Sequence, residues 1–199
     1  MVIPPLEHVK PTSIAHTLAE HFHRDSVDFA QRFDLLWEAG PLMHKLGRIK
    51  SFIDLLMACE CTLKAHGFLG RLNEDPREIY RAIRKRSHNI DQLADYASFN
   101  HDRADYDFLK SRLSTFSVVL RYSFDAYETF FPSLVDQSEA ELSYSNTIGK
   151  NPWVMEIRAV LERLIEAASE KFTGFVSMDL DDIFFHESQM RAFVKECLK

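Results

Sequence analysis

FIDLLMACECTLKAHGFL (Phe52–Leu69) and YRAIRKRSHNIDQLADYASF (Tyr80–Phe99) are the two stretches that decide how this chain folds. In the first, Ile49, Phe52, Ile53, Leu56 and Leu63, with Met57 at the margin, recur at helical spacing. They mark a buried face on a helix running from about Leu42 to Leu69, ended by Gly67 or Gly70. Glu60 lies at the edge of that stripe, and Lys64 follows at i+4, the order that suits a surface ion pair worth a few tenths of a kcal/mol. Asn73-Glu74-Asp75-Pro76 then reads as a turn, with Asp75 capping a helix and Pro76 at its first position. In that helix Arg77, Arg81, Arg84, Lys85 and Arg86 place five cations in ten residues of a chain whose net charge is -6. Ser87-His88-Asn89 interrupts it, and Ile90, Leu93, Ala94 and Ala97 begin a new run that Ser87 or Asn89 can cap.

Working outward, few glycines, sparse β-branched residues and no alternating strand pattern point to an all-α fold. At 199 residues, 46% apolar with sixteen Phe, the chain can bury one substantial core. Pro4, Pro5 and Pro11 suggest an extended arm. Helices are expected from Thr12-Ser13 to about Phe22, with Ile14, Leu18 and Phe22 inward, and again from Ser26 to Ala39. One long helix is expected from Asp102 to Phe131, ended by Pro132. A polar surface loop over 133–150, a helix from Asn151-Pro152 to about Gly174 and a short amphipathic tail complete the reading.

The chemistry of metals finds little purchase here. His16, His21 and His23 lack a ligand motif, and Asp179-Leu180-Asp181-Asp182 lacks the glycine and terminal glutamate of a calcium loop. No metal or cofactor is expected. Cys59 and Cys61 sit two apart in an apolar helix, on different faces, and read as buried thiols. An odd cysteine count with Cys197, no signal peptide and no apolar run near 18 residues predict a cytoplasmic protein without membrane association.

Ala58-Cys59-Glu60-Cys61-Thr62-Leu63-Lys64-Ala65 resembles the A-x-E-x-x-L-K-A helix of the HEPN superfamily. Ser87-His88-Asn89-Ile90-Asp91-Gln92-Leu93 resembles its G-H-D-L-x-x-L segment, and Arg121-Tyr122 its R-Y pair. The likeness covers roughly residues 45 to 130. It implies a helical bundle of four to five core helices with extra N- and C-terminal helices, as an arm and flanking helices (1–42), a HEPN-like core (43–131), and a loop with C-terminal helices on the same domain (132–199). It also implies a homodimer. Many members are metal-independent ribonucleases with an R-x(4-6)-H motif. Six residues lie between Arg81 and His88, and three between Arg84 and His88.

On that reading His88 with Arg81 or Arg84 is catalytic, Arg77, Lys85 and Arg86 hold flanking phosphates, and Glu60, Lys64 and Asn89 support them. Glu60 would orient His88 or fix Lys64. The biological setting implied is a stress, toxin–antitoxin or phage-defence system, with RNA and a protein partner or antitoxin as the molecules met. The alternatives are a noncatalytic HEPN-like module binding a protein or nucleotide, and an unrelated helical adaptor whose Phe-rich faces take a partner helix. A structural role is equally open to His88, which can simply cap a helix or satisfy buried backbone.

Overall fold

The structure, a computed structural model, describes residues 13–39, 44–100, 102–116, 118–131, 143–172 and 179–197. The secondary structure of these residues is entirely helical. In chain order it consists of α1 (Ile14–Glu38), α2 (Lys45–Leu69), α3 (Pro76–Arg86), α4 (Ile90–Tyr96), α5 (Ala104–Leu113), a 3-10 turn (Val118–Arg121), α6 (Ser123–Phe130), α7 (Asn151–Ser169) and α8 (Leu180–Cys197). The expected all-α bundle is therefore what the sequence folds into. The arm at residues 1–12 lies outside the described residues.

α2 is the axis of the bundle. Eighteen of its 25 residues are buried, so it is enclosed on every side rather than along one stripe. α1 lies along it, and α4 and α7 pack on its other sides. That all-round burial takes in Glu60, which the apolar periodicity had placed at a surface edge. α1 is one helix, not two. His23-Arg24-Asp25 contains no Pro or Gly, so nothing stops the helix that Ser13 starts by accepting the His16 N–H at 3.2 Å. Its buried face is Ala15, Ala19, His23, Ser26, Ala30 and Phe33, leaving Ile14, Leu18 and Phe22 only half-buried. The small residues let α1 lie close against α2, where the Ser26 and Thr62 hydroxyls meet at 2.5 Å.

The helix expected from Asp102 to Phe131 is broken. α5 stops at Leu113, and the 3-10 turn and α6 follow, which swings Phe116 and Phe130 into one cluster with Phe52 and Trp153 at 5.5–5.9 Å between ring centroids. Aromatic burial here outweighs continued helix, in a segment with no Gly or Pro to signal the break. The expected loop at 133–150 lies outside the described residues up to 142. Over 143–150 it is a core-packed turn with Ser143, Thr147 and Ile148 buried. α7 ends at Ser169, short of Gly174. The C-terminal tail, expected as a turn or two, is the 18-residue α8. Asp34 and Arg158 tie α1 to α7 through paired bonds of 2.9 and 2.7 Å.

Candidate functional site

Two backbone features carry His88 to its place. Asp75 caps α3 as expected, accepting the Arg77 N–H at 2.9 Å, and the helix ends at Arg86. Asn89 caps α4, its side-chain oxygen accepting the Gln92 N–H at 3.0 Å. Between them the Asn89 N–H donates to the Arg86 carbonyl at 3.0 Å, closing a four-residue turn with Ser87 and His88 at its centre. Ser87 has φ 50° and ψ -115°, close to the first central position of a type II′ turn, where glycine is preferred. The position is thus filled by a residue under backbone strain. Ser87→Gly will relieve it and raise stability by about 1 kcal/mol, part of the gain being offset by glycine's greater freedom in the unfolded chain. A shift of the urea midpoint to higher concentration checks this; a shift to lower concentration refutes it.

The turn delivers His88 onto Glu60. Nδ1 lies 2.9 and 2.8 Å from the two carboxylate oxygens, and Lys64 Nζ lies 2.5 Å from Oε1. The Glu60 side chain is 1% exposed, Lys64 14% and His88 50%. A buried carboxylate with a cation on one side and an imidazole on the other is a supported arrangement. The carboxylate accepts, so Nδ1 carries the hydrogen and neutral His88 presents the Nε2 lone pair. Nε2 has no hydrogen bond among the described residues, and the ring is half open to solvent. Both roles expected of Glu60, orienting His88 and fixing Lys64, are occupied at once. The pair is not the surface pair that spacing alone suggested.

The cations of α3 divide. Arg81 and Lys85 are exposed and make no hydrogen bond or ion pair among the described residues. Arg86 is taken up locally, donating to the Ala82 carbonyl at 2.6 Å and lying 4.1 Å from the Tyr96 ring centre. Arg77 pairs with Glu196 at 2.6 Å, and Arg84 donates to the Cys197 carbonyl at 3.1 Å, both on α8. Neither Arg81 nor Arg84 hydrogen-bonds His88 within one chain. Asn89, placed among the supporting residues, acts as a helix cap.

A second polar constellation was invisible in the sequence. His66, fully buried, bonds the Tyr106 hydroxyl through Nδ1 at 2.7 Å and the Leu164 carbonyl through Nε2 at 2.9 Å. A carbonyl can only accept, so Nε2 carries the hydrogen and Nδ1 accepts from Tyr106. Tyr106 in turn accepts the Asn100 N–H at 2.9 Å. Burial lowers His66 from 6.5 to about 4 and pushes the Tyr106 phenol up to about 12. No motif links residues 40 and 98 positions apart, so only the fold reveals the chain of bonds.

Burial also raises both α2 thiols, Cys61 to about 12, which keeps them protonated and unreactive. A cleft of about 670 Å³ between α1 and α2, lined by Arg32, Lys50, Ser51, Asp54 and Tyr122 among others, shares no residue with the Glu60–His88 pair. Arg32 is engaged there by Asp54 at 3.1 Å. Among the described residues no His, Cys, Asp and Glu cluster is arranged to hold a metal ion, and no helix is long and apolar enough to cross a membrane. No family model, curated protein or solved structure matches the chain.

Proposed function

We propose that this is a HEPN-like, cytoplasmic homodimeric protein that cleaves RNA without a metal, with His88 as its general acid–base and a stress, toxin–antitoxin or phage-defence role. The observation that supports it is the Glu60–His88 pair. A buried carboxylate fixes one tautomer of a solvent-facing imidazole at the end of a strained turn, and strain of this kind is concentrated where function demands a fixed geometry.

In the proposed reaction the ribose 2′-oxygen gives its proton to His88 Nε2 and forms a bond to phosphorus. The bond from phosphorus to the 5′-oxygen breaks, and that oxygen takes up a proton, leaving a 2′,3′-cyclic phosphate. Arg81, exposed and unengaged among the described residues, is the guanidinium available to the charge that builds on the phosphoryl oxygens. A second copy across a dimer interface supplies a second His88, so that one imidazole accepts a proton while the other donates. Lys85 holds flanking phosphate.

The experiment is cleavage of a labelled RNA pool with EDTA present, comparing the wild type with His88→Ala, both checked by circular dichroism. A loss of about 100-fold or more in the folded variant, with cyclic-phosphate ends on the wild-type products, is the expected result. A folded wild type that cleaves nothing sinks the enzyme. It would favour a noncatalytic module binding a protein, whose supporting observation is α8: Leu180, Ile183, Phe184 and Phe185 are 42–67% exposed on it.

A further inference from the structure

α8 lies on the most basic helix of an acidic chain, and what it places there is unusual in kind. Phe193, its one buried residue, stands edge-on to Tyr80 at 5.5 Å between ring centroids. On one side of that aromatic pair the Glu196 carboxylate takes Arg77 at 2.6 Å, and on the other the Cys197 carbonyl takes Arg84 at 3.1 Å. Arg77 and Arg84 are seven residues apart, two turns or about 10 Å along α3, with Tyr80 between them. A ring against an aromatic side chain, flanked by oxygens on guanidinium groups, is also how a single-stranded nucleic acid meets a protein: bases stack and phosphate oxygens bind arginine.

We infer that the face of α3 formed by Arg77, Tyr80 and Arg84 is a docking surface for the backbone and bases of single-stranded RNA, and that α8 covers it as a displaceable mimic of that strand. The inference takes its partner from the ribonuclease reading. It adds where the strand lies beyond His88 and what holds it off. With α8 in place Arg77 and Arg84 are occupied, and Arg81 and Lys85 are the α3 cations left open. With α8 displaced all four face the strand. The hold is light enough to be exchanged. Glu196 is 51% exposed beside a 43% exposed Arg77, and the apolar side chains at the start of α8 face solvent instead of the bundle.

The test uses the full chain. Phe193→Ala combined with Glu196→Ala removes the ring and the carboxylate that hold α8 on α3 without changing α3, Glu60 or His88, and leaves α8 tethered to α1 by the 2.8 Å bond between His186 Nε2 and the Thr17 hydroxyl. Binding of a labelled single-stranded oligoribonucleotide is followed by fluorescence anisotropy across a salt series. The loosened protein is expected to bind about tenfold tighter than wild type, and the slope of log affinity against log salt to steepen by about 1.4, the value for two newly neutralised phosphates of a single strand. Adding Arg77→Ala and Arg84→Ala to the loosened chain removes that gain. No tightening in a folded loosened protein overturns the inference, as does a gain that survives loss of the two arginines. Adding His88→Ala separates the two readings. If the tightening remains while no variant cleaves, the enzyme reading fails and the docking surface stands. If wild type cleaves fully and loosening α8 changes neither binding nor rate, the cover fails and the enzyme stands.

Discussion

Acidification from pH 7 to 4.5 is expected to remove about 2 kcal/mol of stability through His66, and His66→Gln is expected to abolish that part of the loss. The sign follows from the direction of the shift. Burial holds His66 at about 4 in the folded chain against 6.5 when unfolded. Between those values the unfolded chain takes up a proton that the folded chain refuses. The contribution is therefore complete above pH 6.5 and is lost as the pH falls toward 4. Protonation would put a hydrogen on Nδ1, which accepts from Tyr106, and would place a charge where no carboxylate reaches. His23, also lowered by burial, acts in the same direction. Asp54, raised by burial, acts in the opposite one, so the comparison must be between wild type and variant and not between two pH values of one protein. Glutamine cannot titrate, and it costs about 2 kcal/mol at pH 7 because one of the two bonds is lost. Urea midpoints measured from pH 4.5 to 7.5 decide it. Wild type and variant should converge as the pH falls; a constant separation removes His66 as the source of acid sensitivity.

That network marks the limit of what the linear chain discloses. Asp75-Pro76 announced the start of α3, and Ser87 or Asn89 the start of α4, of which Asn89 is the cap, because caps are local chemistry between neighbours in sequence. The apolar run around Phe52–Leu69 likewise announced the central helix. The periodicity misjudged Glu60, because an α-helix enclosed on all sides buries whatever stands at its edges. The backbone of Ser87 was not legible, since serine carries no sign that its φ is positive. Where α1 runs through, nothing stops it. Where α5 stops, the reason is the aromatic cluster built by Phe52 and Trp153, far off in sequence. The division of the α3 cations was hidden for the same reason: α8, more than a hundred residues later, takes two of them.

Glu60→Gln is the change expected to separate the orientation of His88 from its mere presence. Glutamine has nearly the shape of glutamate, but its amide can donate as well as accept, so it no longer dictates which ring nitrogen of His88 holds the hydrogen. It also leaves Lys64, 14% exposed, beside a neutral group, at a cost of about 2 kcal/mol in stability. If His88 acts as proposed, cleavage in EDTA falls about 100-fold at saturating RNA while the concentration for half-maximal rate stays put, because Glu60 is buried beneath the ring and touches no substrate. Placed in the His88→Ala background, the same change should cost stability again but no further rate, since an orienting carboxylate has nothing left to orient. An equal drop in rate in both backgrounds would mean that Glu60 acts through the fold alone. The nitrogen shifts of labelled imidazole provide a reading independent of catalysis. Wild-type His88 should show hydrogen at Nδ1, and the Glu60→Gln variant a mixture of both tautomers. Hydrogen on Nε2 in the wild type would contradict the geometry from which the proposed mechanism starts.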